Sequence, residues 1–145
     1  PGAADFPACA VCASSGAACV AACPTGALRG DGSLDRTRCI QWYASGDGET
    51  VPADVRAAWG DRLYGCTLCQ DACPHNRRRI PGTPTQLGPL PAAMDAAELV
   101  SQSDDQLRER FRGTAMGLSW LGPRAIRRSA ELALAGARDA AERRR

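Results

Sequence analysis

Two short phrases constrain this chain more than anything else in it: Cys19-Val20-Ala21-Ala22-Cys23-Pro24 and Cys66-Thr67-Leu68-Cys69-Gln70-Asp71-Ala72-Cys73-Pro74. Each ends in a Cys four residues past another Cys and followed at once by Pro. In chains that wrap iron–sulfur clusters, the last Cys before such a Pro ligates the second of two clusters. The eight cysteines run Cys9-x2-Cys12-x6-Cys19-x3-Cys23-Pro, then Cys39, then Cys66-x2-Cys69-x3-Cys73-Pro.

Three chemistries compete for that spacing. A disulfide framework suits short secreted chains with an even cysteine count, but nothing in this sequence points to secretion. Two zinc sites of four cysteines each would use the C-x2-C knuckles, yet zinc does not explain why Cys-Pro recurs in both halves. Two [4Fe-4S] clusters use all eight thiolates, four to a cluster, with none left over. In the crossed arrangement Cys9, Cys12, Cys19 and Cys73 hold one cluster, and Cys23, Cys39, Cys66 and Cys69 hold the other. A helical turn after Cys19 would carry Cys23 out of the first loop, and Pro24, lacking an N–H, would turn the chain outward. One departure stands out: six residues, Ala13 to Ala18, separate Cys12 from Cys19 where the compact motif has two.

Composition supports the need for metal. Aromatic residues make up only 5% of the 145 residues. The cysteine-bearing half is therefore poor in the large side chains that build a core, and bound metal would supply what is lacking. Charge is uneven, with five Arg against eight acids in residues 1–74 and thirteen Arg against eight acids in residues 75–145. All basic residues are Arg, which carries little functional weight by itself. No apolar run approaches a membrane span and no secretory pattern opens the chain, so a cytoplasmic, membrane-free monomer is expected.

Local signals outline the elements. A short extended pair is expected around Ala27-Leu28 and Ser33-Leu34, and Asp35 suits the N-cap of a short helix carrying Cys39. On such a helix Trp42 and Tyr43 would share the face of Cys39, as a shield over the cluster or simply as core. Pro52 opens a helix that Gly60 ends. Residues 81–92, with four Pro, read as a linker. Beyond it Asp95-x-x-Glu98 and Ser103-x-x-Gln106 read as capping boxes. A last helix from Pro123 carries an apolar stripe of Ile126, Ala130, Ala133, Leu134 and Ala137. The expected organisation is a linker over 1–8, a cluster domain over 9–80, the Pro-rich linker over 81–92 and a helical extension over 93–145, mainly α with little strand.

Three segments go beyond a generic cluster protein: Cys23-Pro24-Thr25-Gly26-Ala27-Leu28, Leu34-Asp35-Arg36-Thr37-Arg38-Cys39-Ile40, and Gly60-Asp61-Arg62-Leu63-Tyr64-Gly65 running into Cys66 to Pro74. In order, gaps and non-Cys residues they closely resemble the double-cluster region of the epoxyqueuosine reductase family. The resemblance is strong over residues 9 to about 80 and weaker from Phe111-Arg112-Gly113-Thr114-Ala115 onward. It implies a ferredoxin-like double [4Fe-4S] domain followed by a small, HEAT-like helical extension. It also implies an oxidoreductase that reduces epoxyqueuosine to queuosine in tRNA, with electrons passing through both clusters to cobalamin. The cobalamin-binding part lies upstream in that family, so no catalytic residue carries over, and a chain starting at Pro1 is expected to lack that part. The eight cysteines carry over as ligands one by one. The long Cys12–Cys19 loop marks a divergent member. A flavodoxin or ferredoxin is the expected electron donor. Arg77, Arg78, Arg79, Arg127 and Arg128 are candidate contacts to tRNA phosphate, though a charge run is also the ordinary make-up of a solvated face. The alternative is a stand-alone ferredoxin-like electron carrier serving another oxidoreductase.

Overall fold

A computed structural model describes residues 17–46, 50–77 and 86–142. Among these the chain is helical, with α1 (Ala18–Ala21), α2 (Ile40–Ser45), α3 (Ala53–Ala57), α4 (Leu68–Asp71), α5 (Ala96–Ser101), α6 (Asp104–Arg110) and α7 (Pro123–Glu142). Single 3-10 turns occupy Arg36–Arg38, Pro74–Arg77 and Ala115–Gly117. No strand forms among the described residues; two isolated bridges, Leu28 with Leu34 and Gly88 with Thr114, are the whole β content there.

These residues divide into two compact units. One holds 17–39 and 66–77; the other holds 40–46, 50–65 and 86–142. Residues 40–65, which lie inside the 9–80 stretch expected as the cluster domain, thus group with the helical unit. The reason is hydrophobic: Ile40, Tyr43, Ala44, Val51, Val55 and Trp59 are all buried, and α2 and α3 both pack on α7. A stretch this apolar follows the larger core rather than the cysteines that flank it. The expected linker is also partly structured, since the Gly88 N–H donates to the Gly113 carbonyl at 2.8 Å.

In the helical unit, α7 starts where Pro123 dictates, because its ring presets a helical φ and its missing N–H has no partner to lose there. Its buried face is Ala125, Ile126, Ser129, Ala130 and Ala133. Small residues at most of those positions let α5 cross it closely, and Leu99, Leu107, Phe111, Met116 and Leu121 complete the core. Of the expected stripe, Leu134 is half-buried and Ala137 exposed, because the stripe outruns the helices beneath it. Gly117 is obligatory: a Cβ there would lie 2.1 Å from the Phe111 carbonyl oxygen.

Both N-caps form, but only Ser103-x-x-Gln106 closes as a full capping box, the Glu98 carboxylate being turned to Gln102 and Arg110. Asp95 accepts from the Ala97 and Glu98 N–H groups. Ser103 accepts from Gln106 N–H at 3.3 Å while the Gln106 side chain accepts from Ser103 N–H at 2.8 Å. Ser103→Ala is expected to lower the stability of the helical unit by about 1 kcal/mol, read as a lower denaturant midpoint with an unchanged slope.

Candidate metal centre

The two Cys-x3-Cys-Pro phrases fold alike. Each places its first Cys in a one-turn helix, Cys19 in α1 and Cys69 in α4. Each then ends on an Ala with nearly the same backbone, φ −80° and ψ −11° at Ala22, φ −74° and ψ −17° at Ala72. The next Cys closes the turn on the third residue back, Cys23 N–H to Val20 O at 3.2 Å and Cys73 N–H to Gln70 O at 3.1 Å. Pro follows because nothing further can donate in that direction. The sequence repeat is thus a structural repeat, and α1 and α4 pack against each other.

Cys23 has the more polar surroundings. Gly26, at φ 62°, closes a tight turn on the Cys23 carbonyl, and the Ala27 N–H then donates to Cys23 Sγ at 3.2 Å. The Thr25 hydroxyl lies 3.7 Å from the same sulfur. Burial pushes the Cys23 thiol up, but the backbone groups of Leu28, Thr25 and Ala27 and the Thr25 hydroxyl outweigh it and hold the thiol below its ordinary value. Such donors stabilise a thiolate.

The chain then returns toward this turn. Leu28 bridges Leu34, the Asp35 N–H donates to Ala27 O at 2.8 Å, and Arg38 Nε donates to Thr25 O at 2.7 Å. Asp35 caps as expected, accepting from Thr37 N–H, but what it caps is a 3-10 turn that stops at Cys39. Cys39 is extended, at φ −83° and ψ 121°, with its N–H on Arg36 O. It therefore precedes α2 and shares no helical face with Trp42 and Tyr43, contrary to expectation. Tyr43 is 6% exposed in the helical unit's core and Trp42 is 38% exposed.

Burial pushes the Cys69 thiol up, and the neighbouring Cys66 and, more weakly, Cys23 push it further. Three of the four cysteines assigned to one cluster thus lie within electrostatic reach of one another. The six described cysteines are all reduced and half-buried. Among the described residues no three His, Cys, Asp or Glu converge on a single metal ion. Soft, reduced thiols, three of them within electrostatic reach of one another and one receiving backbone N–H groups, are donors of the kind an iron–sulfur cluster takes.

Cys9, Cys12, Arg78 and Arg79 fall outside the described residues. Arg77 ends the 3-10 turn begun at Pro74, and His75 is exposed within it. The remaining two arginines have internal partners. Arg127 Nη2 donates to Gln102 O and to Asp104 Oδ1, each at 2.8 Å. Arg128 Nη2 donates to the carbonyls of Tyr43 and Gly46 at the end of α2. The Arg127 hydrogen bond is the main reason the Asp104 carboxyl lies below the usual carboxylate range. A depressed carboxylate contributes stability above its unfolded value of about 3.9 and loses it as pH falls through the folded value. Wild type and Arg127→Gln should therefore differ in melting temperature at pH 7, and the difference should narrow as pH falls through the folded value of Asp104 to what the bond to the Gln102 carbonyl contributes.

Thr25 and Arg38 carry no functional signal of their own in the sequence. Thr25 is a buried polar residue beside the Cys23 sulfur whose carbonyl holds Arg38. The usable signal is the Cys-Pro-Thr-Gly turn, which puts that hydroxyl two residues past Cys23.

Comparison with known proteins agrees with this geometry. Residues 8–76 match the family described as the 4Fe-4S double cluster binding domain. The epoxyqueuosine reductase of Bacillus subtilis is 39% identical over 124 residues, 84% of this chain and 31% of that protein. The Listeria monocytogenes enzyme of the same name is 34% identical over 137 residues, 93% of this chain and 35% of that protein. A crystal structure of epoxyqueuosine reductase with an epoxyqueuosine-modified tRNA-Tyr stem loop is 38% identical, with a TM-score of 0.71 over 85% of this chain and 32% of that one. The chain spans about a third of the length of these relatives. Residues 8–76 thus match a double 4Fe-4S cluster binding domain, and most of the chain is similar to about a third of the epoxyqueuosine reductases.

Proposed function

We propose that this chain is the iron–sulfur part of an epoxyqueuosine reductase-like oxidoreductase acting on tRNA. The observation that carries it is the paired Cys-x3-Cys-Pro turn, built twice with the same backbone and packed helix to helix. Cys9, Cys12, Cys19 and Cys73 would hold one [4Fe-4S] cluster, and Cys23, Cys39, Cys66 and Cys69 the other. When bound, the clusters supply one-electron transfer toward cobalamin in the parent enzyme, drawing on a flavodoxin or ferredoxin. The chain's own residues hold the thiolates: Ala27 N–H and Thr25 support Cys23, and Arg38 pins the returning segment that delivers Cys39. A ferredoxin-like cluster domain, a HEAT-like helical extension and a monomer in the cytoplasm belong to the same reading.

Of the arginines, Arg77, Arg78 and Arg79 lie just past Pro74 and are the proposed phosphate contacts. The internal partners of Arg127 and Arg128 support a structural role for both. Anaerobically purified protein should contain about eight iron and eight sulfide per chain, and its affinity for a tRNA stem loop should fall steeply with salt. Zinc in place of iron and sulfide would overturn the cluster assignment.

A further inference from the structure

The turn that leads from α3 toward α4 is braced at several of its carbonyls. The Trp59 indole N–H donates to Arg62 O at 2.8 Å. Arg62 Nη1 in turn donates to Ala58 O at 3.3 Å and to the Trp59 carbonyl. Gly60 supplies the positive φ of 66° the turn requires. Leu63 and Tyr64 then pack against the core of the helical unit. A pre-ordered turn of this kind presents side chains without an ordering cost at the moment of binding.

What it presents is one wall of a cleft of about 390 Å³, formed by Asp61, Leu63 and Tyr64 and faced by Leu90, Met94 and Met116. That volume suits a small flat group. Beside it stands Trp120, 57% exposed, whose indole N–H donates to the Tyr64 hydroxyl oxygen at 3.3 Å. The phenol is thereby oriented and keeps its own proton to donate. The charged residue in the lining is Asp61, whose ionised carboxylate only accepts. The site therefore asks for a ligand with an apolar face and an edge that donates, and it disfavours a phosphate at the carboxylate.

We propose that this cleft receives an unpaired nucleobase bearing an exocyclic amine, its face against the Tyr64 and Trp120 side and its amine on Asp61. Single-stranded RNA loops are read in this way, by aromatic side chains and by hydrogen bonds to base edges. The inference rests on the tRNA reading above and adds to it a base-reading site distinct from the cluster cysteines and from the arginines.

The test uses the cluster-loaded full-length protein and two stem–loop RNAs with one stem, one loop containing adenines and the other all uracil. Wild type should prefer the adenine loop by about tenfold, Asp61→Asn should lose that preference, and Trp120→Ala should weaken the adenine loop by about tenfold. Iron content and melting temperature serve as controls that both variants are folded. If wild type binds the stem–loops but neither variant changes affinity or preference, the cleft assignment falls while the tRNA reading stands. If wild type binds neither loop, the tRNA reading falls and takes this inference with it. If free AMP displaces the RNA at equal concentration, the cleft is a free-nucleotide site and the RNA assignment is overturned.

Discussion

Cys69→Ala is expected to lower iron from about eight to about four per chain and to abolish a cooperative melt of the cysteine-bearing unit. The described part of that unit contributes only Ala27 and Thr25 to the buried set, whereas the helical unit buries more than a dozen side chains. Its order rests on one-turn helices and loop hydrogen bonds, each worth only about 1 kcal/mol net. Metal–thiolate bonding is the one interaction strong enough to hold such a unit, with apparent values of about 10–16 kcal/mol for a structural zinc site as a guide to scale. Cys69 feels the charges of Cys66 and Cys23, so in the proposed ligand set its loss removes one of the four thiolates of that cluster. Cys73→Ala should likewise cost about four iron, but from the other cluster, which electron paramagnetic resonance of the reduced protein would separate. A Cys69→Ala protein with full iron and an unaltered melt would show that Cys69 is not a ligand.

The cysteine repeat is readable because its chemistry is local: four residues of spacing and a Pro specify a one-turn helix and its exit, and both copies obey. Capping at Asp95 and Ser103 is readable for the same reason, since a side-chain oxygen finds an N–H two or three residues on. What escapes is non-local. Residues 40–65 sit between two cysteine groups in sequence, yet their buried Ile40, Tyr43, Val55 and Trp59 answer to α7. Asp35 points to a helix through Cys39 because it is a good cap, and a cap signal does not say whether the turn it starts will be 3-10 or α. Arg127 and Arg128 look like surface charge because a guanidinium's carbonyl partners, 25 to 85 residues away, leave no mark in composition.

The helical unit answers to its own largest side chain. Trp59 is fully buried, and Trp59→Ala is expected to destabilise the unit by about 3–5 kcal/mol. Two effects contribute, the cavity left by the ring and the loss of the indole donor to Arg62 O. Trp59→Phe separates them, because it retains most of the apolar area and removes the donor, for a cost of about 1–3 kcal/mol if the carbonyl stays buried. Packing dominates if Phe recovers more than half of the loss in denaturant unfolding. If Phe and Ala are equally destabilised, the hydrogen bond that closes the turn outweighs the packing of the ring. Either variant should keep about eight iron per chain, since Trp59 belongs to the helical unit and not to the cysteine unit. Both should weaken RNA in the Asp61 and Tyr64 cleft, because that cleft's wall is the turn Trp59 closes. Loss of iron together with RNA binding would mean that the two units unfold as one.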